Sequence, residues 1–140
     1  MVYLDTSVLV PAFIREPKSD AVLAWIESSG TRLVVSEWSV TEFASAAAIK
    51  ARTGEITTAL AKQATARFLD FAQKHCSIAV PGRAEFRRGA ELAGEAARKL
   101  RAGDALHLAI AEATKVQGIL CLDEVMSGGA RALGLSVVTV

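Results

Sequence analysis

The sequence has too few cysteines and histidines for the usual zinc sites or disulfide frameworks, and no apolar run long enough for a membrane span. Its 140 residues include two cysteines and two histidines. Cys76 and Cys121 form no C-x-x-C pair and lie in apolar segments, so they read as buried, reduced thiols. His75 and His107 are too far apart along the chain to supply the usual zinc ligands. No apolar run reaches the roughly 18 residues that suggest a membrane span. The opening Met1-Val2-Tyr3-Leu4-Asp5 has no basic region ahead of a long apolar stretch, so no secretory leader is expected. A cytoplasmic protein with no membrane partner is the expectation. No sign of charge dominates either: 16 Lys and Arg against 15 Asp and Glu leave a net +1, which selects no class of partner.

What is present is apolar. Hydrophobic residues make up 51% of the chain, enough for a full core and too many for a disordered segment. No repeat, low-complexity stretch or Pro/Gly/Ser linker divides it, so residues 1–140 are expected to form a single domain of ordinary size.

Short apolar runs alternate with longer helical patterns. Val2-Tyr3-Leu4 reads as a buried strand ending at Asp5. Thr6 and Ser7 can cap a short helix through Val8–Phe13, with Pro11 near its first turn. A helix over Ser19–Ser29 should stop at Gly30. Further strands are expected at Leu33–Val35, Ser77–Val80, Ile119–Leu122 and Val137–Val140. The helices between them should cover Ser36 to Arg52, Ile56 to His75, Arg83 to Leu100, Ala105 to Val116 and Glu124 to Leu133. Strands separated by helices imply right-handed crossovers and a parallel sheet of α/β class, covered on both faces. In such sheets the functional cleft lies beyond the C-terminal ends of the strands.

Four acids stand out against that frame. Asp5 directly follows the first strand, and Asp123 follows the strand Ile119–Leu122. Asp104 heads the apolar helix in Ala102-Gly103-Asp104-Ala105-Leu106. Glu42 lies several residues inside the helix after the second strand, among Val, Phe and Ala. Two readings compete. Asp5, Asp104 and Asp123 are each well placed as helix N-caps. Glu42 is past any cap, has Trp38 and Ala46 at i−4 and i+4 in place of a basic residue, and is costly there unless paired with a distant residue or a metal. Taken together, the four share one edge of the sheet by topology. Crowded carboxylates repel, and a hard dication relieves that repulsion. Oxygen-only donors select Mg²⁺, Mn²⁺ or Ca²⁺ over zinc, and such a site activates water against a phosphodiester.

These residues resemble the PIN-domain ribonucleases, in particular the VapC-type toxins of prokaryotic toxin–antitoxin modules. The likeness covers essentially the whole chain. Tyr3-Leu4-Asp5-Thr6-Ser7-Val8-Leu9 looks like the family's opening strand and turn. Ser39-Val40-Thr41-Glu42 looks like its helix-borne glutamate, and Gly103-Asp104-Ala105-Leu106-His107-Leu108-Ala109 like its "DALHLA" helix start. Leu122-Asp123-Glu124 with Arg131-Ala132-Leu133-Gly134-Leu135 looks like its closing segment. One departure is Cys121, which stands where the family often has Thr or Ser.

The resemblance implies a three-layer α/β/α fold with a five-stranded parallel sheet and Mg²⁺- or Mn²⁺-dependent cleavage of RNA. It also implies a homodimer and neutralisation by a VapB-like antitoxin. By position Asp5, Glu42, Asp104 and Asp123 match the family's catalytic, metal-binding acids, and Thr6 and Ser7 its hydroxyl-bearing turn. Arg15, Arg83, Arg87 and His107 are candidates to contact substrate. His107 also reads as a hydrogen-bonded structural residue, and Trp25 and Trp38 as packing residues. The segment from Arg83 to Arg101 holds six basic residues against three acids, which suits either phosphate or a solvated helix face. Two rivals remain. A non-catalytic PIN-like scaffold would bind RNA or a partner without cutting. An aspartyl phosphotransferase would need an acid where Ser7 stands, or an acidic pair before the nucleophile and a distant lysine, and the sequence offers neither clearly.

Overall fold

A computed structural model describes residues 1–140. Its five strands are β1 (Val2–Leu4), β2 (Leu33–Ser36), β3 (Cys76–Ala79), β4 (Gly118–Leu120) and β5 (Ser136–Val138). Its helices are α1 (Thr6–Phe13), α2 (Ser19–Ser28), α3 (Glu37–Arg52), α4 (Thr58–His75), α5 (Arg83–Gly94), α6 (Ala102–Ala113) and α7 (Glu124–Ala132). A single 3₁₀ turn covers Ala96–Arg98.

All strand pairs are parallel, in the order β3-β2-β1-β4-β5. The chain builds outward from β1 to β3, then returns to the other side of β1 for β4 and β5. The order therefore reverses between β1 and β4, the position where open α/β sheets form their cleft. Register places Leu4 opposite Leu120, and the Asp5 amide extends the ladder by donating to the Leu120 carbonyl at 3.1 Å. Asp5 is thus held at the reversal by main-chain bonding.

Alternate strand residues feed two cores. Leu4, Val35 and Leu120 face one layer with Val8, Leu9, Phe43 and Phe68. Tyr3, Val34 and Ile119 face the other with Leu92, Leu106, Leu108 and Ile110. Both faces are covered, which explains why the strands are continuously apolar. On the first face Phe13, Phe43 and Phe68 pack with ring centroids 4.7–6.0 Å apart, an arrangement that adds to plain burial. No helix is long and apolar enough to cross a membrane.

Several boundaries differ from those expected. Asp5, rather than Thr6 or Ser7, caps α1, and Pro11 lies in the helix's second turn. The expected Arg83–Leu100 helix ends at Gly94, a poor helix former. Lys99 then turns through the left-handed region (φ 56°), letting the chain enter α6 three residues earlier than expected. Strand β4 ends at Leu120 because the next amides are diverted. Leu122 donates to Ser7 Oγ and Asp123 to Cys121 Sγ. β3 and β5 stop where their partners stop, leaving Val80 77% exposed.

Candidate active site

Each of the four acids reaches the C-terminal edge of the sheet by a different route. Asp5 leaves β1 and accepts from the Ser7 amide at 3.0 Å, which fixes its carboxylate at the head of α1. Asp123 does the same for α7, accepting from the Met126 amide at 2.8 Å. Asp104 is the third residue of α6 and accepts from the Arg101 amide at 3.3 Å. Glu42 lies in the second turn of α3, a helix started by a reciprocal Ser36–Ser39 capping box. Asp5 and Asp123 are therefore helix N-caps, as expected, whereas Asp104 is not: Arg101 holds the N-cap position of α6, and Asp104, at its third residue, reaches back to the Arg101 amide.

Two observations show convergence. Burial first, and then the charges of Asp123 and Asp5, push the Asp104 carboxyl above its ordinary range, and the neighbouring Arg101 does not fully offset them. A Cβ added at Gly103 would stand 2.5 Å from Glu42 Oε1. Glu42 is thus pressed against the first turn of α6, one residue from Asp104, in a space that only glycine leaves open.

Glu42 has a partner that the sequence did not disclose. His107 Nε2 lies 2.5 Å from Glu42 Oε2 and 3.6 Å from Asp5 Oδ1, and Thr6 Oγ1 donates to Glu42 Oε2 at 2.8 Å. Burial pushes the Glu42 carboxyl up, but His107, Thr6 and Trp38 outweigh it and hold it below the usual carboxylate range. The Trp38 indole N–H is buried and turned toward Glu42, but it completes no hydrogen bond of good geometry. Its pull is dipolar. His107 is 1% exposed, so the expectation that it contacts substrate is corrected. It is a fixed interior residue whose Nδ1 meets the Tyr3 hydroxyl at 2.7 Å.

The other two acids share Arg101, whose guanidinium lies 3.4 Å from Asp104 and 3.5 Å from Asp123 and is 81% exposed. In the sequence Arg101 appears only as part of a basic patch; in the fold it joins the acids. Its signal was the i,i+3 spacing to Asp104. The basic residues that were singled out lie elsewhere. Arg15 falls past the far end of α1 and forms a two-pronged pair with Asp20. In α5 it is Gly89, Ala90 and Ala93 that face the start of α6, whereas Ala84, Glu85 and Arg88 face its far end. Arg83 and Arg87 are exposed on the first turns of α5 and form no ion pair with any of the four acids.

Cys121 fills the departure noted in the sequence. Its Sγ lies 3.5 Å from Asp5 Oδ2 and accepts from the Asp123 amide at 3.3 Å. Burial, with the nearby Asp5 charge, pushes the thiol up to about 12. It remains a neutral thiol that orients the turn.

Crowding of like charge is therefore relieved in part by the protein itself, through the hydrogen bond of His107 to Glu42 and the charge of Arg101 between Asp104 and Asp123. No three of the acid, histidine and cysteine side chains close on a single point to form a finished coordination shell. The donor set nevertheless fits a hard dication. All four carboxylates converge on one edge, and Arg101 marks a place where positive charge is already accommodated between Asp104 and Asp123.

The chain belongs to the PIN-domain family, whose model matches residues 2–130. Solved structures share the fold. VapC20 of Mycobacterium tuberculosis, a toxin that cleaves the sarcin–ricin loop, superposes with a TM-score of 0.75 at 15% identity, covering 92% of this chain and 95% of its own. FitAcB of Neisseria gonorrhoeae gives a TM-score of 0.68 at 17% identity, over 99% and 97% of the two chains. A toxin–antitoxin complex from Klebsiella pneumoniae gives 0.65 at 19%, over 99% and 97%. No curated protein sequence matches the chain significantly.

Proposed function

We propose that this protein is a Mg²⁺- or Mn²⁺-dependent endoribonuclease and the toxin of a type II toxin–antitoxin module. The observation that carries the proposal is the meeting of four carboxylates from four separate elements at the point where strand order reverses. Family membership and the likeness to toxin structures support it.

Asp5 and Asp104 would hold the ion, with Asp123 completing its surroundings. When bound, such an ion supplies an acidified water and offsets charge on the phosphodiester. Glu42 is kept ionised by its neighbours, so it is the acceptor able to take a proton from attacking water. Thr6 fixes one Glu42 oxygen, and Ser7 Oγ ties the β1 turn to Leu122 next to Asp123. Arg101 is exposed and weakly paired, so it can release its two aspartates and turn to an RNA phosphate. The partners are RNA, a VapB-like antitoxin and a second copy of the chain, in the cytoplasm. The complexes formed by the structural relatives support the antitoxin.

The test compares wild type with Asp5→Asn on total cellular RNA, with Mn²⁺ and with EDTA. Cleavage by wild type in Mn²⁺ alone is expected, with loss on the order of 100-fold or more in the variant. Equal cleavage by both proteins would remove the mechanism. No cleavage by either would leave a binding scaffold.

A further inference from the structure

Beneath Glu42 a row of polar groups runs through the apolar core. Tyr3 and Ser36 are fully buried, as is Ser39, and His107 is nearly so. The contacts are continuous: Ser39 Oγ to Ser36 Oγ at 3.0 Å, Ser36 Oγ to Tyr3 Oη at 2.8 Å, Tyr3 Oη to His107 Nδ1 at 2.7 Å, and His107 Nε2 to Glu42 Oε2 at 2.5 Å. Four elements contribute: β1, the end of β2, α3 and α6. Buried hydroxyls have no water to fall back on, so each proton needs an acceptor within the row.

The protons can be followed one by one. Ser36 Oγ and Ser39 Oγ each accept a backbone amide from the other residue in the capping box. One of the two hydroxyl protons lies between them. If Ser39 donates to Ser36, then Ser36 donates to Tyr3, Tyr3 to His107 Nδ1, and the ring's one N–H is left on Nε2, aimed at Glu42. Every donor then meets an acceptor at 3.0 Å or less. Reversing the row puts a bare Nε2 against the Glu42 carboxylate, acceptor to acceptor. Protonating both ring nitrogens sends the last serine proton to Tyr3 Oη over 3.4 Å, onto an oxygen that already accepts from the ring.

The geometry points to Tyr3 as a positioning residue for Glu42. Ordered by Ser36, the Tyr3 hydroxyl donates to Nδ1 and locks the ring, and together with the Glu42 acceptor this fixes the Nε2–H tautomer, so that a single N–H holds the glutamate in place from beneath the cleft. The catalytic consequence rests on the ribonuclease reading, but the tautomer does not. Tyr3 never reaches the cleft and acts only through the imidazole.

The test begins with the metal-free wild-type protein. Two-bond ¹H–¹⁵N correlation spectra of the imidazoles should show His107 as a single Nε2–H tautomer. A proton on Nδ1, or on both nitrogens, overturns the inference without any variant. In Tyr3→Phe, with folding verified by circular dichroism, Glu42 still selects the Nε2–H tautomer, but the ring loses its Nδ1 partner, so the His107 imidazole signals should shift and broaden. On an RNA that wild type cleaves in Mn²⁺, kcat should fall roughly 10- to 100-fold with KM unchanged. His107→Gln, which keeps an N–H donor near the Nε2 position, should retain more activity than His107→Ala. A folded Tyr3→Phe protein whose His107 signals and kcat both match wild type also overturns the inference. If wild type itself cuts no RNA, the ribonuclease reading fails while the spectra still decide the tautomer.

Discussion

Glu42 and Asp104 stand one residue's width apart across Gly103, yet their surroundings have little in common. Glu42 is served by interior donors: His107 at 2.5 Å, Thr6 at 2.8 Å, and beneath them a closed row of buried hydroxyls. Its carboxyl is held low. Asp104 has only an exposed guanidinium at 3.4 Å and a long amide bond, and its carboxyl is pushed high by burial and by Asp123 and Asp5. One half of the site is finished in the free protein, and the other half is held loosely. The contrast suits the proposed roles: a proton acceptor has to be in place before water arrives, whereas a half that admits an ion has to be able to open. Strained charge on the open side is the usual cost of a site waiting for its ligand.

The largest way to break this contrast is His107→Ala. It leaves Glu42 without its main partner and Tyr3 Oη without an acceptor. A stability loss of about 3–5 kcal/mol is expected from the cavity and the lost hydrogen bonds, measured by urea unfolding of the metal-free protein. A loss below about 1 kcal/mol would mean that the interior half is not preformed.

A finer contrast sets Glu42→Gln beside Asp104→Asn. A carboxyl with a depressed folded pKa adds stability above its unfolded value, and that gain is lost as pH falls through the folded value. Glu42→Gln should therefore cost about 1–3 kcal/mol at pH 7, and it should flatten the decline in stability below the usual carboxylate range. The raised carboxyl of Asp104 has the opposite sign. Asp104→Asn should leave stability at pH 7 level or raise it by up to about 1 kcal/mol. Unfolding midpoints at neutral and acid pH settle both, and equal losses in the two variants would erase the distinction.

The smallest effect is Arg101→Gln. An exposed pair at these distances is worth less than about 1 kcal/mol, so thermal unfolding should scarcely move. Mn²⁺ should bind the variant more tightly in calorimetry, because a competing cation is gone. Weaker Mn²⁺ binding would show that Arg101 supports the ion site and does not compete for it.

Sequence order disclosed the three aspartates because each adjoins a feature visible in one dimension: the end of a strand or the head of a helix. Glu42 was visible as a charge in apolar company. Its partner was not, since His107 lies 65 residues away and looks, on a strongly apolar helix, like any satisfied core histidine. Tyr3 reads as strand core. Only the register that sets β1 beside β4, and the packing of α6 beneath them, brings its hydroxyl to the imidazole. Arg101 was concealed by the expectation of a helix through Leu100, which the break at Gly94 removes. Arg15, Arg83 and Arg87 show the converse: a count of basic residues carries no direction, and none of the three pairs with the four acids. The alternation of strands and helices was enough for the layered parallel sheet, whereas strand ends depended on amides diverted to Ser7 and Cys121.

The claim on which everything rests is that Asp5, Glu42, Asp104 and Asp123 act on one ion. Calorimetric titration of Mn²⁺ into metal-free wild type, Asp5→Asn and Asp104→Asn measures it without any substrate. Saturable binding by wild type, weakened at least about tenfold in each variant, is the predicted result. Wild type that binds no Mn²⁺, or variants that bind as tightly as wild type, would contradict it.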